Sequence, residues 1–164
     1  MSKQPTQPRK QRGAISLDAL IVIGVVILAL IFVISQAPKL TYAWNKFQYG
    51  QQAASIEKYT RDWQRGRSNF ATVDISKVCA TTDLDRKICG PGNNGVATNP
   101  FGGNWSVTAN SNPGLFDVTG TLPNDTNRII DIADTMAPST RGNCQESTGC
   151  STLSTSATGV TMTY

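Results

Sequence analysis

Four cysteines, Cys79, Cys89, Cys144 and Cys150, offer the most chemistry in this chain. A thiol can act as nucleophile, metal ligand or half of a disulfide, and spacing helps to separate these roles. The two pairs lie ten and six residues apart, whereas zinc knuckles place paired ligands about two to four residues apart. A four-cysteine zinc site stays conceivable, but disulfides formed in an oxidising compartment are the reading this spacing favours. Histidine is absent. The commonest general base and the commonest neutral metal ligand are therefore missing, and serine–histidine and cysteine–histidine catalysis are excluded. Gly102-Gly103 is a weak phosphate-loop lookalike with no lysine after it, and it reads as a turn. Asp125, Asp131 and Asp134 lack EF-hand spacing and read as a solvated helix face rather than a calcium site. The residues point to no enzyme, no metal and no cofactor.

Four cysteines permit three pairings. Proximity along the chain favours Cys79 with Cys89 and Cys144 with Cys150, and the second bond would close a short loop and brace a core-poor segment.

Charge narrows the partners. The formal charge is +4, and Lys3, Arg9, Lys10 and Arg12 account for all of it. A nucleic-acid-binding domain is expected to keep a basic stripe in its folded part, and none is evident here, so direct nucleic-acid binding is not expected. Residues 1–13, polar and basic with Pro5 and Pro8, cannot bury apolar surface and are expected to form a disordered cytoplasmic tail.

From Ala14 to Ile34 the chain is almost wholly apolar, and as a helix this run is about 31 Å long, close to one hydrocarbon thickness. It reads as a membrane span. Four positive charges before it and only Lys39 just after it place the N-terminus in the cytoplasm and the remainder on the far side. A secretory signal would have a shorter apolar core, and Ser35-Gln36-Ala37 is only a feeble cleavage site. A plain single-pass anchor is the other simple reading. Neither accounts for Asp18, a carboxylate inside the apolar run that costs roughly 2.5–3.5 kcal/mol on insertion scales. Asp18 either reaches water at the inner headgroup level or meets a positive group on a neighbouring chain.

The stretch Arg12-Gly13, then Ala14-Ile15-Ser16-Leu17-Asp18-Ala19-Leu20-Ile21-Val22-Ile23-Gly24-Val25, resembles the processing site of the type IV pilins. The resemblance implies a prepilin: a basic leader cut after Gly13 by a dedicated peptidase, and a new N-terminus at Ala14 that is methylated. It also implies an acidic residue at the fifth mature position, here Asp18, whose carboxylate pairs with the N-terminal amine of an adjacent subunit and sets register during fibre assembly. The family usually has glutamate where Asp18 stands and an aromatic or larger aliphatic residue where Ala14 stands, which points to an outlying or conjugation-like branch. The resemblance covers about 25 residues, and the rest only in architecture.

These readings predict an α+β protein in which a long N-terminal helix packs on a small antiparallel sheet. Residues 1–13 are the cleaved leader and residues 14–37 the transmembrane and assembly helix. Residues 38–164 supply the second half of the helix and the head. Pro38 either ends the first helix near Gln36 or Ala37 or lies within a kinked continuation to about Arg65. Leu40, Ala43, Trp44 and Phe47 recur at helical spacing, and Ala54, Ile56, Tyr59 and Trp63 extend that apolar face. Tyr42, Trp44, Phe47 and Tyr49 equally suit an interfacial belt.

After Gly66 the composition turns to Gly, Asn, Thr, Ser and Pro. Val73–Val78 alternates loosely, Gly90–Gly95 reads as a loop, and Trp105–Ala109 with Leu115–Thr119 reads as a β-hairpin. The turn Pro100-Phe101-Gly102-Gly103 is similar to one that precedes the first main strand in pilins and pseudopilins. A short helix is expected over Asn124–Met136, capped by Asn124, Asp125 or Thr126, and a last strand over Thr158–Tyr164. A C-terminal disulfide, here Cys144 with Cys150, fits the family's pattern.

The function so implied is a structural subunit. Its partners are its own copies in a helical fibre, the prepilin peptidase, the pilus assembly machinery and the bacterial inner membrane, and its final place is an extracellular pilus. Adhesion, motility, DNA uptake and conjugation are all compatible with such a fibre. The alternatives are a type II secretion pseudopilin, a minor pilin or, from another class, a membrane-tethered binding module that never polymerises.

Overall fold

In a computed structural model that describes residues 16–164, helix α1 runs from Leu17 to Trp63 with Pro38 inside it. The first helix therefore continues beyond Gln36 and Ala37. Contacts divide the chain into two compact units, with the boundary after Thr41. In the first unit α1 is a single apolar helix, long and apolar enough to cross a membrane.

The second unit, Tyr42–Tyr164, is an α+β head. It contains the rest of α1, then α2 (Ile75–Thr81), α3 (Arg86–Cys89), β1 (Trp105–Ala109), β2 (Phe116–Thr121), α4 (Ile129–Met136), β3 (Leu153–Thr155) and β4 (Gly159–Thr163). The strands form one antiparallel sheet in the order β1-β2-β4-β3. Period-two burial gives the sheet two faces. Trp105, Val107, Phe116, Val118, Val160 and Met162 point into the core, while Thr119 and Thr161, cross-strand partners on the other face, join their hydroxyls at 2.8 Å.

Helix α1 covers the inner face with Tyr49, Ala53, Ile56, Thr60 and Trp63, one residue every three or four. The Tyr49 ring lies 4.4 Å from that of Trp105, and its hydroxyl donates to the Gly120 carbonyl at 3.2 Å. Gly120 is required there, since a Cβ would sit 2.1 Å from the Tyr49 oxygen and 2.7 Å from the Trp105 ring.

Three expectations change. Val73–Val78 does not form a strand, because Asp74 accepts a bond from the Ser76 amide at 2.8 Å and starts α2. Its alternation survives only as a single bridge from Asp74 to Thr108. The segment before α4 is a 3-10 turn over Thr126–Arg128, and neither Asp125 nor Arg128 caps its helix through a side chain. The core face of α1 keeps the expected Ile56 and Trp63 and adds Tyr49, Ala53 and Thr60, whereas Ala54 is exposed and Leu40, Trp44 and Phe47 are more than half exposed.

Candidate functional site

Gly13 and Ala14, the expected processing residues, lie outside the described residues. Asp18 is exposed in the first turn of α1, where its negative charge complements the helix dipole. Ser16 accepts a bond from the Ala19 amide at 3.3 Å and caps this turn. Among the described residues no cation pairs with Asp18.

Over the most apolar eighteen-residue window of the helix no residue is buried. Two hydroxyls of the helix bond its own backbone: Ser35 donates to the Phe32 carbonyl at 2.7 Å and Thr41 to the Ala37 carbonyl at 3.0 Å. Intrahelical bonding of this kind suits a helix in hydrocarbon, where no water is present to accept the proton. At Gly24 a Cβ would meet nothing within 4 Å, so nothing inside the chain demands a glycine there.

The aromatics just beyond this unit divide between two faces of α1. Tyr49 is buried in the head and Tyr42 packs at its margin, while Trp44 and Phe47 stay exposed with ring centroids 5.9 Å apart. Tyr42 belongs to a polar latch. Its hydroxyl donates to the Asp131 carboxylate of α4, Lys46 reaches the same carboxylate at 3.3 Å, and the Arg128 guanidinium lies 4.1 Å from the Tyr42 ring centroid. The Tyr42 bond, and after it Lys46, holds the Asp131 carboxyl below the usual carboxylate range. Burial, and then the bond to Asp131, pushes the Tyr42 phenol above its ordinary value. Asp131 was expected on a solvated helix face, and no local pattern announces a partner 89 residues away. The only local hint is that Tyr42 and Lys46 stand four apart on one helix face.

Asp134 is likewise occupied. It accepts from the Ser147 amide at 2.8 Å and the Ser147 hydroxyl at 2.6 Å, and these bonds lower its pKa. Among the described residues no group of three or more His, Cys, Asp or Glu side chains is placed to hold a metal ion. The cysteines form Cys79–Cys89 and Cys144–Cys150, with Cα atoms 5.6 and 5.7 Å apart. The first bond is fully buried, and the Asn93 side chain donates to the Cys79 carbonyl at 2.7 Å beside it.

At the Asn99–Gly103 turn the buried Asn99 side chain accepts from the Phe101 and Gly103 amides at 2.9 and 3.1 Å and donates to the Thr121 carbonyl at 2.8 Å. A phosphate cradle needs amides that point at the ligand, and these are already taken. Gly102 has φ of +80°, the conformation that favours glycine. A cleft beside α1 is lined by Gln48, Gln51, Gln52, Ser55, Asp85, Lys87 and Ile88, and Asp85 is engaged in capping α3 through the Lys87 amide.

The chain matches no family model, no curated protein and no solved structure.

Proposed function

We propose that this chain is the precursor of a fibre subunit of the type IV pilin kind. A prepilin peptidase removes residues 1–13, residues 14–37 associate side by side in the inner membrane, and assembly machinery extracts them into a helical homopolymer outside the cell. One observation carries the proposal: an exposed apolar helix with a single carboxylate, Asp18, in its first turn. Such a surface needs lipid in the precursor and other apolar helices once it leaves the membrane.

Lipid tails are as apolar as leucine, so helices in a membrane associate by close packing and by polar pairs rather than by expelling water. Gly24, with open space around it, permits close backbone approach. The Asp18 carboxylate would meet the α-amino group of Ala14 on the neighbouring subunit. A lone carboxylate is costly in lipid, so this pairing favours one axial register over all others.

The test is Asp18→Ala. The variant removes a costly charge and should insert as well as the parent, but its surface fibres should fall by roughly tenfold or more. Asp18→Glu, which keeps the carboxylate, should restore them. Abundant fibres from Asp18→Ala would overturn the pairing.

A further inference from the structure

We propose that the Cys144–Cys150 disulfide is a thiol-exchange site, at which an incoming thiolate attacks Cys144 and Cys150 leaves. This stands apart from the fibre reading, since it requires only that the head meet thiols. The two disulfides differ in access. Cys79 and Cys89 are fully buried, whereas Cys144 is only partly buried and Cys150 retains 8% exposure.

The surroundings of the sulfurs assign the roles. Thr152 Oγ1 lies 3.4 Å from Cys150 Sγ and 3.9 Å from Cys144 Sγ, and Thr140 Oγ1 lies 4.0 Å from Cys150 Sγ. Disulfide sulfur carries no proton, so any bond at these distances must be donated by the hydroxyl. Counting protons then singles out one group. The Thr140 hydroxyl donates to the Ala137 carbonyl at 2.9 Å. Thr152 accepts from the Gly142 amide at 3.1 Å, and its own proton is left to choose among Thr140 Oγ1 at 2.9 Å, the Cys150 sulfur at 3.4 Å and the more distant Cys144 sulfur at 3.9 Å.

In the disulfide state sulfur is a weak acceptor and the oxygen is the better choice. A Cys150 thiolate reverses that preference, because a charged acceptor binds a hydroxyl proton far more strongly. Thr152 therefore stabilises negative charge as it develops on Cys150, and a more stable leaving thiolate leaves faster. Cys144 is farther from this hydroxyl and more open, which suits it to receive the nucleophile.

The step balances without a further reagent. The external sulfur bonds to Cys144 Sγ, the Cys144–Cys150 bond breaks, and its electron pair stays on Cys150, which takes up a proton according to pH. The product is a mixed disulfide on Cys144 and a free Cys150. The intervening loop stays attached to α4 through both Ser147 bonds to Asp134. Cys150 is thereby held near Cys144, and the reverse attack releases the bound thiol.

Reduced glutathione is the probe, applied to the full chain in detergent, quenched with iodoacetamide at timed intervals and read by peptide mass mapping. The expected early product carries glutathione on Cys144 and carbamidomethyl on Cys150, with Cys79–Cys89 intact. Thr152→Val should slow its appearance by roughly tenfold, and Thr152→Ser, which keeps the hydroxyl, should restore the rate. Both disulfides opening together, glutathione on Cys150, or Thr152→Val reacting as fast as the parent would each overturn the assignment. The Thr152→Ser arm separates loss of the hydroxyl from loss of fold.

Discussion

Residues 17–41 and residues 42–164 stand in opposite relations to water. The first unit buries nothing in its most apolar window and carries Leu, Ile, Val and Phe at 49% exposure or more. The second closes around Tyr49, Ile56, Trp105, Phe116, Val118 and Met162, all with 3% exposure or less. A single helix, α1, supplies both, and the change comes where apolar residues all around give way to an apolar stripe. The head thus has a core of its own, whereas the apolar surface of the first unit is left uncovered by the described residues.

The strongest break in this comparison is to cut it. A chain of residues 42–164 should fold without detergent, stay monomeric and keep both disulfides, while the longer chain should need lipid or detergent to stay dispersed. An aggregated or unfolded 42–164 fragment would mean that the head depends on residues 17–41. Gly120→Ala acts next, inside the head. Its methyl group would collide with Tyr49 and Trp105, and overpacking of this kind costs about 1–3 kcal/mol. Chemical denaturation of the 42–164 fragment should register that loss, and an unchanged midpoint would show that α1 and the sheet are not packed as described.

A smaller effect tests the latch. Tyr42→Phe removes one bond to a carboxylate whose side chain is 56% exposed, so the loss should be about 0.5–1 kcal/mol. It should also depend on acid. The Asp74, Asp131 and Asp134 carboxyls are all held below their ordinary range by hydrogen bonds. Their contribution is complete above the unfolded value of about 3.9 and is lost as pH falls below it through the folded values. The difference between Tyr42→Phe and the parent should therefore be constant near neutrality and shrink as Asp131 protonates. A difference that grew with acid would contradict the latch.

The elements that obey a plain period were legible in the sequence: the long helix except for its course past Pro38, the β1–β2 hairpin, the helix ending at Met136 and the last strand. What escaped depended on partners distant in sequence. Leu40, Trp44 and Phe47 have helical spacing, yet the head uses a different stripe, and an apolar residue does not declare which surface it serves. Leu153–Thr155 is short and polar and becomes a strand only because β4 lies beside it. Asp74 sits in an alternating run but caps a helix, a local bond that outweighs the weak strand pattern. Among the candidate site residues, Asp18 stands in a helical first turn and the four cysteines are paired. The roles of Tyr42, Lys46, Asp131 and Thr152 emerge only when segments far apart in the chain meet.

In the proposed fibre subunit the apolar helix begins, in the working protein, at Ala14. Mass spectrometry of the mature N-terminus, on protein from membranes and from material sheared off the cell surface, tests it most directly. A chain that starts at Ala14, with one added methyl group, is the predicted result. An intact Met1, or a cut near Ala37, would contradict the account and leave an anchored or secreted head in place of a fibre subunit.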